Sequence, residues 1–277
     1  MADSYRVCIV VPQGYKHSYA FLEAATLILL SLRDLGYDCD LRPNELASDR
    51  VNIVLGYHLV SSAEVFKGVR YIPWQLEQLS DGEGIFSERI LGILSCAEQI
   101  WDYAIENIAF LEKKGLEAKH LPVGYHSGLE RIPHREDKDI DVLFFGSVNQ
   151  RRRKILQAIA NEGVGIKTLF GVYGEQRDKI IGRSKIIVNI HNYEAQIFES
   201  IRVSYLLNNG CFVLSETSPV YPYPHVEMIR TQQERLAEEC LRWLSDGAFK
   251  AHARKTHEEF KSQYPMARLI KAVLSKT

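Results

Sequence analysis

Residues 186–216 read IIVNIHNYEAQIFESIRVSYLLNNGCFVLSE. Ile, Ile, Val, Asn and Ile at 186–190 form an apolar run without alternation, as in a parallel strand buried on both faces. A polar stretch follows at 191–196, then a helix from about 198, a Gly turn at 210 and a second buried strand at 211–215. Strand, helix and strand in that order make one βαβ unit, so the sheet here is parallel. The polar loop and the first helical turn place His191, Tyr193, Glu199 and Arg202 at the carboxyl end of that sheet, where ligands of open α/β sheets bind and a helix N-terminus attracts phosphate. Glu199 and Arg202 are three apart and share a helix face. A carboxylate able to accept two ribose hydroxyls, beside an Arg able to hold a diphosphate, is the pair a nucleotide-sugar site requires.

The same alternation extends outward. A β-branched run at 5–11 is broken by Pro12-Gln13-Gly14, and a helix over 18–35 closes on Gly36. Short strands are expected at 37–41, 51–55, 70–73, 99–101 and 119–121, with helices at 85–96 and 104–114. Residues 122–140 are rich in Pro, Gly and charge and read as a linker. A second series follows: strand 141–145, helix 151–161, strand 165–170, helix 175–183 and the opening stretch. Residues 228–246 and 248–271 are expected to be helical, interrupted by Pro265. The domains implied are 1–125, a linker over 126–140, a second domain over 141–250, and C-terminal helices over 251–277 that could pack back on the first.

Composition narrows the function classes. The chain has 277 residues, 46% hydrophobic and 25% charged, with a formal charge of −1, which describes an ordinary globular protein. No long run of one sign suggests a nucleic-acid or membrane surface. Five scattered cysteines lack CxxC spacing, so neither a zinc site nor a disulfide framework is expected and the thiols read as reduced. No signal peptide and no membrane-spanning segment are apparent, and a cytoplasmic location is the expectation.

Gly146-Ser147 follows a strand and precedes Arg151-Arg152-Arg153-Lys154. Backbone N–H groups of such a loop can cradle a diphosphate. Basic residues at a helix N-terminus oppose the macrodipole at ~0.3–1 kcal/mol each, a cost that a bound phosphate relieves or that solvent simply absorbs. Arg152 and Lys154 are the expected contacts. In the first half, Gln13, Gly14 and His17 lie just past the first strand. Histidine is the residue type suited to proton transfer near neutral pH, so His17 could serve as a general base, or is a loop histidine in water. His58 competes for that role. Glu77, after Trp74-Gln75, is a carboxylate beyond a hydrophobic strand and is the other candidate base, with Trp74 expected to contact an acceptor. Asp139-Ile-Asp141 and Asp38-Cys39-Asp40 share the DxD spacing of metal-dependent transferases but precede or flank the starts of their strands, so no metal is expected. Tyr125, Tyr221 and Tyr223 could stack on a sugar or base, or form a rigid turn.

Two Rossmann-like halves, Gly146-Ser147 with its basic helix, and FESIRVSYLLNNGCFVLSE together resemble the GT-B nucleotide-sugar glycosyltransferases of the small bacterial type. So do the segments YIPWQLE (71–77) and LPVGY (121–125). The resemblance implies two domains facing across a cleft and a helical C-terminus, with Glu199 in the ribose-binding role. It also implies transfer of a sugar from a nucleoside diphosphate sugar, a co-substrate rather than a cofactor, to a glycan or small-molecule acceptor. Domain closure would exclude water. The family's usual second acidic residue has no clean match, Glu194 standing five before Glu199. The alternatives are a nucleotide-sugar epimerase or hydrolase, or a non-enzymatic nucleotide-sugar binder.

Overall fold

A computed structural model describes residues 4–80, 86–194 and 196–275. Two compact units emerge, one from residues up to 126 together with those from 265 onward, the other from 127–264.

In the first unit β1 (Tyr5–Ile9), β2 (Cys39–Leu41), β3 (Val51–Leu55), β4 (Arg70–Gln75), β5 (Trp101–Asp102) and β6 (Lys119–His120) form a parallel sheet in the order β2-β1-β3-β4-β5-β6. The connecting helices are α1 (Leu22–Asp34), α2 (Glu88–Ser95) and α3 (Ile105–Lys113). The predicted start of α2, at residue 85, lies outside the described residues. One face of the sheet, with Cys8, Val54, Tyr71 and Ile100, packs against Ile90, Ile93 and Leu94 of α2 and Leu111 of α3. The helix expected over 18–35 opens instead as a 3₁₀ segment, Lys16–Phe21, which carries His17, and is α-helical only from Leu22.

The second unit holds β7 (Ile140–Phe145), α4 (Gln150–Asn161), β8 (Ile166–Leu169), α5 (Gly174–Gly182), β9 (Ser184–Asn189), α6 (Ser200–Asn208), β10 (Val213–Glu216), β11 (Ile229–Thr231), α7 (Leu236–Asp246) and α8 (Phe249–Gln263). Its strands are parallel in the order β11-β10-β9-β7-β8. Val142, Phe144, Ile186 and Val188 point to one face, against Ile155, Leu156 and Ile159 of α4, Leu236 and Cys240 of α7, and Phe249 and Ala253 of α8. Their sequence neighbours Leu143 and Ile187 are equally buried on the other face, as the period of two requires. Residues 228–246 are not one helix as expected: Ile229–Thr231 pairs with β10, and the helix begins only at Leu236. Three residues carry too little pattern to tell a buried strand from a helix start.

Pro265 stops α8, and the last helix, α9 (Met266–Leu274), rejoins the first unit. Met266 N–H donates to the Tyr125 carbonyl at 2.8 Å, Lys119 Nζ reaches the Val273 carbonyl at 2.8 Å, and Met266, Ile270 and Val273 are buried.

Candidate functional site

In the second unit, the carboxyl ends of β10, β9, β7 and β8 lie side by side and deliver Glu216, the 190–193 loop, Gly146-Ser147 and Phe170 to one edge. Gly146 has φ +138, and a Cβ there would stand 2.8 Å from Arg202 Nη2. Only glycine gives that conformation and that space. Its N–H donates to the Leu169 carbonyl at 2.9 Å, tying the turn to β8.

Arg152, 2% exposed, is the best-anchored cation of the edge. Nε and Nη2 donate to the Ile190 carbonyl at 2.9 and 2.7 Å, Nη1 donates to the Ser147 carbonyl at 3.0 Å, and Nη2 pairs with Glu199. Burial pulls its guanidinium below the usual range, opposed first by Glu199. Arg202 pairs with the other Glu199 oxygen and donates to Asn189 Oδ1 at 3.0 Å, while its guanidinium lies 5.6 Å over the Phe144 ring and 5.4 Å over Phe145. Glu199 also accepts from Asn192 N–H at 3.2 Å. The two arginines and one glutamate sum to one net positive charge, set against a glycine turn. Planar guanidinium donors with a surplus of positive charge are chemically able to accept a phosphate.

Beside it lies a second network. Arg151 forms a bidentate pair with Glu216 and donates to the His191 carbonyl at 3.1 Å and Gln233 Oε1 at 2.9 Å. Glu216, 2% exposed, also accepts from His191 N–H at 3.1 Å. Sequence reasoning had Arg151 only as one of the basic run 151–154 and missed Glu216. The signal was available at Glu216, a carboxylate ending a hydrophobic strand, which was the ground for choosing Glu77. Asn149 caps α4 by accepting from Arg152 N–H at 2.9 Å, and its Nδ2 donates to the Asn192 carbonyl at 2.8 Å, fixing the loop against the helix.

His191 is fully buried. Its Nε2 stands 3.2 Å from the Thr217 carbonyl and 3.0 Å from Ser218 Oγ. A carbonyl only accepts, so Nε2 carries the proton and Nδ1, which has no partner, is bare. Burial pushes its pKa down, against Glu199 and Glu216, and the ring is neutral. Tyr193 is exposed on the loop. Lys154 lines a groove with Gln150, Arg151, Gln233 and Glu234.

In the first unit Gln13 and Gly14 are exposed, and His17 is half-buried with its ring 5.3 Å from Tyr15. Glu77 is half-buried, and its carbonyl accepts from Asn107 Nδ2 at 2.8 Å. Trp74 is a core residue instead of an acceptor platform: it has no exposed surface, and its indole N–H donates to the Leu121 carbonyl at 3.2 Å. Tyr223 is buried against Phe198, Phe260 and Tyr264, and Tyr221 carries the Arg230 guanidinium 3.8 Å above its ring, so neither is a stacking surface. The DxD carboxylates are ion-paired: Asp139 with Arg183, Asp141 with Lys185, Asp38 with Arg50 and Asp40 with Arg6. Among the described residues no three His, Cys, Asp or Glu side chains group to hold a metal, and no helix is long and apolar enough to cross a membrane.

No family model matches the chain. Two uncharacterized proteins of Acanthamoeba polyphaga mimivirus are similar, at 36% identity over 110 residues and 31% over 109, which is 38% and 37% of this chain. The chain spans only 15% and 35% of their length. Solved structures match almost throughout. AviGT4, a glycosyltransferase involved in avilamycin A biosynthesis, is 11% identical with a TM-score of 0.63, covering 98% of this chain and 96% of its own. The β-glucosyltransferase of phage T4 is 12% identical with a TM-score of 0.62 over 98% and 97%. The fold is GT-B. Sucrose-phosphate synthase of Thermosynechococcus elongatus is similar over 98% of both chains at 11% identity and a TM-score of 0.57. In GT-B terms the described site lies in the C-terminal unit.

Proposed function

We propose that this GT-B protein is a metal-independent glycosyltransferase that moves a sugar from a nucleoside diphosphate sugar to an acceptor hydroxyl. The observation that carries the reading is the Arg152–Glu199–Arg202 cluster held against Gly146, which leaves one net positive charge at the edge where the diphosphate would lie. The activities named for AviGT4 and the T4 β-glucosyltransferase favour it as well.

On this reading Gly146, Ser147, Arg152 and Arg202 hold the diphosphate. As the glycosidic bond to the donor breaks, negative charge grows on the departing phosphate, and fixed guanidiniums in a desolvated site stabilise it without reorganising. Glu199 has both oxygens engaged by arginines and Oε1 also by Asn192 N–H, so it positions these two cations and keeps one acceptor site, on Oε2, for a ribose hydroxyl. His191 and Tyr193 complete the donor side, with Lys154 at its margin. Gln13 and Gly14 would meet the acceptor in the N-terminal unit, and His17 or Glu77 would take the acceptor proton.

A thermal-shift panel of UDP, GDP, CDP and dTDP with their sugars, on wild type and Arg202→Ala, tests the donor site. Nucleotide at roughly 100 times its dissociation constant stabilises the native state by ~2.7 kcal/mol. A shift with one nucleotide that Arg202→Ala abolishes supports the reading. No shift with any nucleotide refutes it.

A further inference from the structure

Arg177, Asp178 and Tyr205 of the second unit are buried, and the donor site as described uses none of them. Arg177 Nε and Nη2 donate to Asp178 Oδ1 at 3.0 and 2.8 Å, and Tyr205 O–H donates to Asp178 Oδ2 at 2.7 Å. Apolar side chains of similar volume often stabilise a fold as well as a buried ion pair does. Stability alone is therefore a poor account of this network.

Its geometry leads back to Arg202. Glu199 and Asn189 both bind the Arg202 guanidinium through Nη1. Anchoring at one nitrogen leaves the plane of the group to be set by the rings of Phe144 and Phe145 against which it lies. Phe145, the residue before Gly146, is half-buried. Its ring centre is 5.4 Å from the Arg202 guanidinium and 6.0 Å from that of Arg177, which also lies 4.6 Å over the Tyr205 ring. Arg202 and Tyr205 are three apart on α6 and share a face. The contacts close a ring: Phe145 at the end of β7, Arg202 and Tyr205 on α6, Arg177 on α5, and Phe145 again. Asp178 fixes Arg177 within that ring and neutralises it, so that a further positive charge does not repel Arg202.

We propose that Phe145, Arg177, Asp178 and Tyr205 are positioning residues that hold the Arg202 guanidinium in place at Gly146. That the held guanidinium meets a diphosphate rests on the donor reading; the holding does not.

Two measurements on the full chain test this. Nitrogen-15 NMR follows the exchange with water of the Arg202 guanidinium protons, identified as the signals absent from Arg202→Ala. Titration compares the nucleoside diphosphates UDP, GDP, CDP and dTDP with their parent nucleosides. Arg177→Met, Asp178→Leu and Tyr205→Phe, combined in one chain, replace the network by apolar groups of similar size. This variant should melt near the wild-type temperature, with Arg202 exchange roughly 10-fold faster. Its diphosphate affinity should fall by roughly 5-fold or more, the scale of a cation–π contact, and its nucleoside affinity should not change. Phe145→Leu should behave in the same way, and Phe145→Tyr, which keeps the ring, should restore both readings. Should the combined variant not fold, the two Phe145 variants decide. Unchanged Arg202 exchange, equal loss of diphosphate and nucleoside affinity, or no rescue by Phe145→Tyr overturns the proposal. Faster Arg202 exchange in a chain that binds no nucleotide removes the donor reading alone; nucleotide binding with Arg202 exchange unchanged removes the positioning network alone.

Discussion

Replacing Glu199 by Ala would leave the Arg152 and Arg202 guanidiniums beside each other with no counter-charge. Breaking a buried pair by removing one partner costs about 3–5 kcal/mol, and the expected loss is near the lower figure because Glu199 and Arg202 keep some exposure. Urea denaturation of Glu199→Ala measures it; a loss under 1 kcal/mol would mean the cluster is not held as described. Gly146→Ala should act differently. Its Cβ collides with Arg202 and its φ is hostile to side chains, so nucleotide affinity should fall at least 10-fold by calorimetry. His58 supplies the pH dependence. Burial lowers its pKa to about 4, against an ordinary value near 6.5. The folded state therefore binds fewer protons than the unfolded one between those values. The contribution of His58 to stability is complete above about 6.5, falls as pH drops through that window, and is gone below about 4, a change of roughly 3 kcal/mol. His58→Gln should flatten this part of a stability–pH curve.

At the scale of elements, Asn149 joins α4 to the loop after β9. Asn149→Ala removes a helix cap, costing about 1 kcal/mol, and it also frees the Asn192 carbonyl, so nucleotide affinity should drop along with the melting temperature. A change in melting temperature alone would show that the loop holds its place without the cap. The strands around this site were legible because they are buried on both faces and spell unbroken β-branched runs, as 186–190 does. Glu199 and Arg202 were legible because helix spacing alone makes them neighbours. The Arg151–Glu216 pair was not, since 65 residues separate its members and only the strand order brings β10 beside the start of α4. Trp74 misled for a related reason: an aromatic at the end of a strand reads the same whether its ring faces a ligand or, as here, the core. The strand at 229–231 was hidden by the longer helical pattern around it.

At the scale of the molecule, two units with separate cores need not melt together. Nucleotide should raise the transition of the unit spanning 127–264 more than that of the other. Met266→Ala, which cuts into the buried face of α9, should instead destabilise the first unit by about 2–5 kcal/mol and lower its transition alone. Calorimetry with and without the best nucleotide separates the two, and equal shifts of both transitions would mean that they unfold as one.

The return of α9 to the first unit also has a consequence for biosynthesis. The ribosome completes all of 127–264 before it makes the helix that seals the first unit. A domain finished N-terminal first, at roughly 5–20 residues per second, is therefore impossible for this half. Until α9 emerges, the nascent first unit lacks the helix whose Met266, Ile270 and Val273 are buried in the finished fold, and an apolar strip stands open for a chaperone to shield.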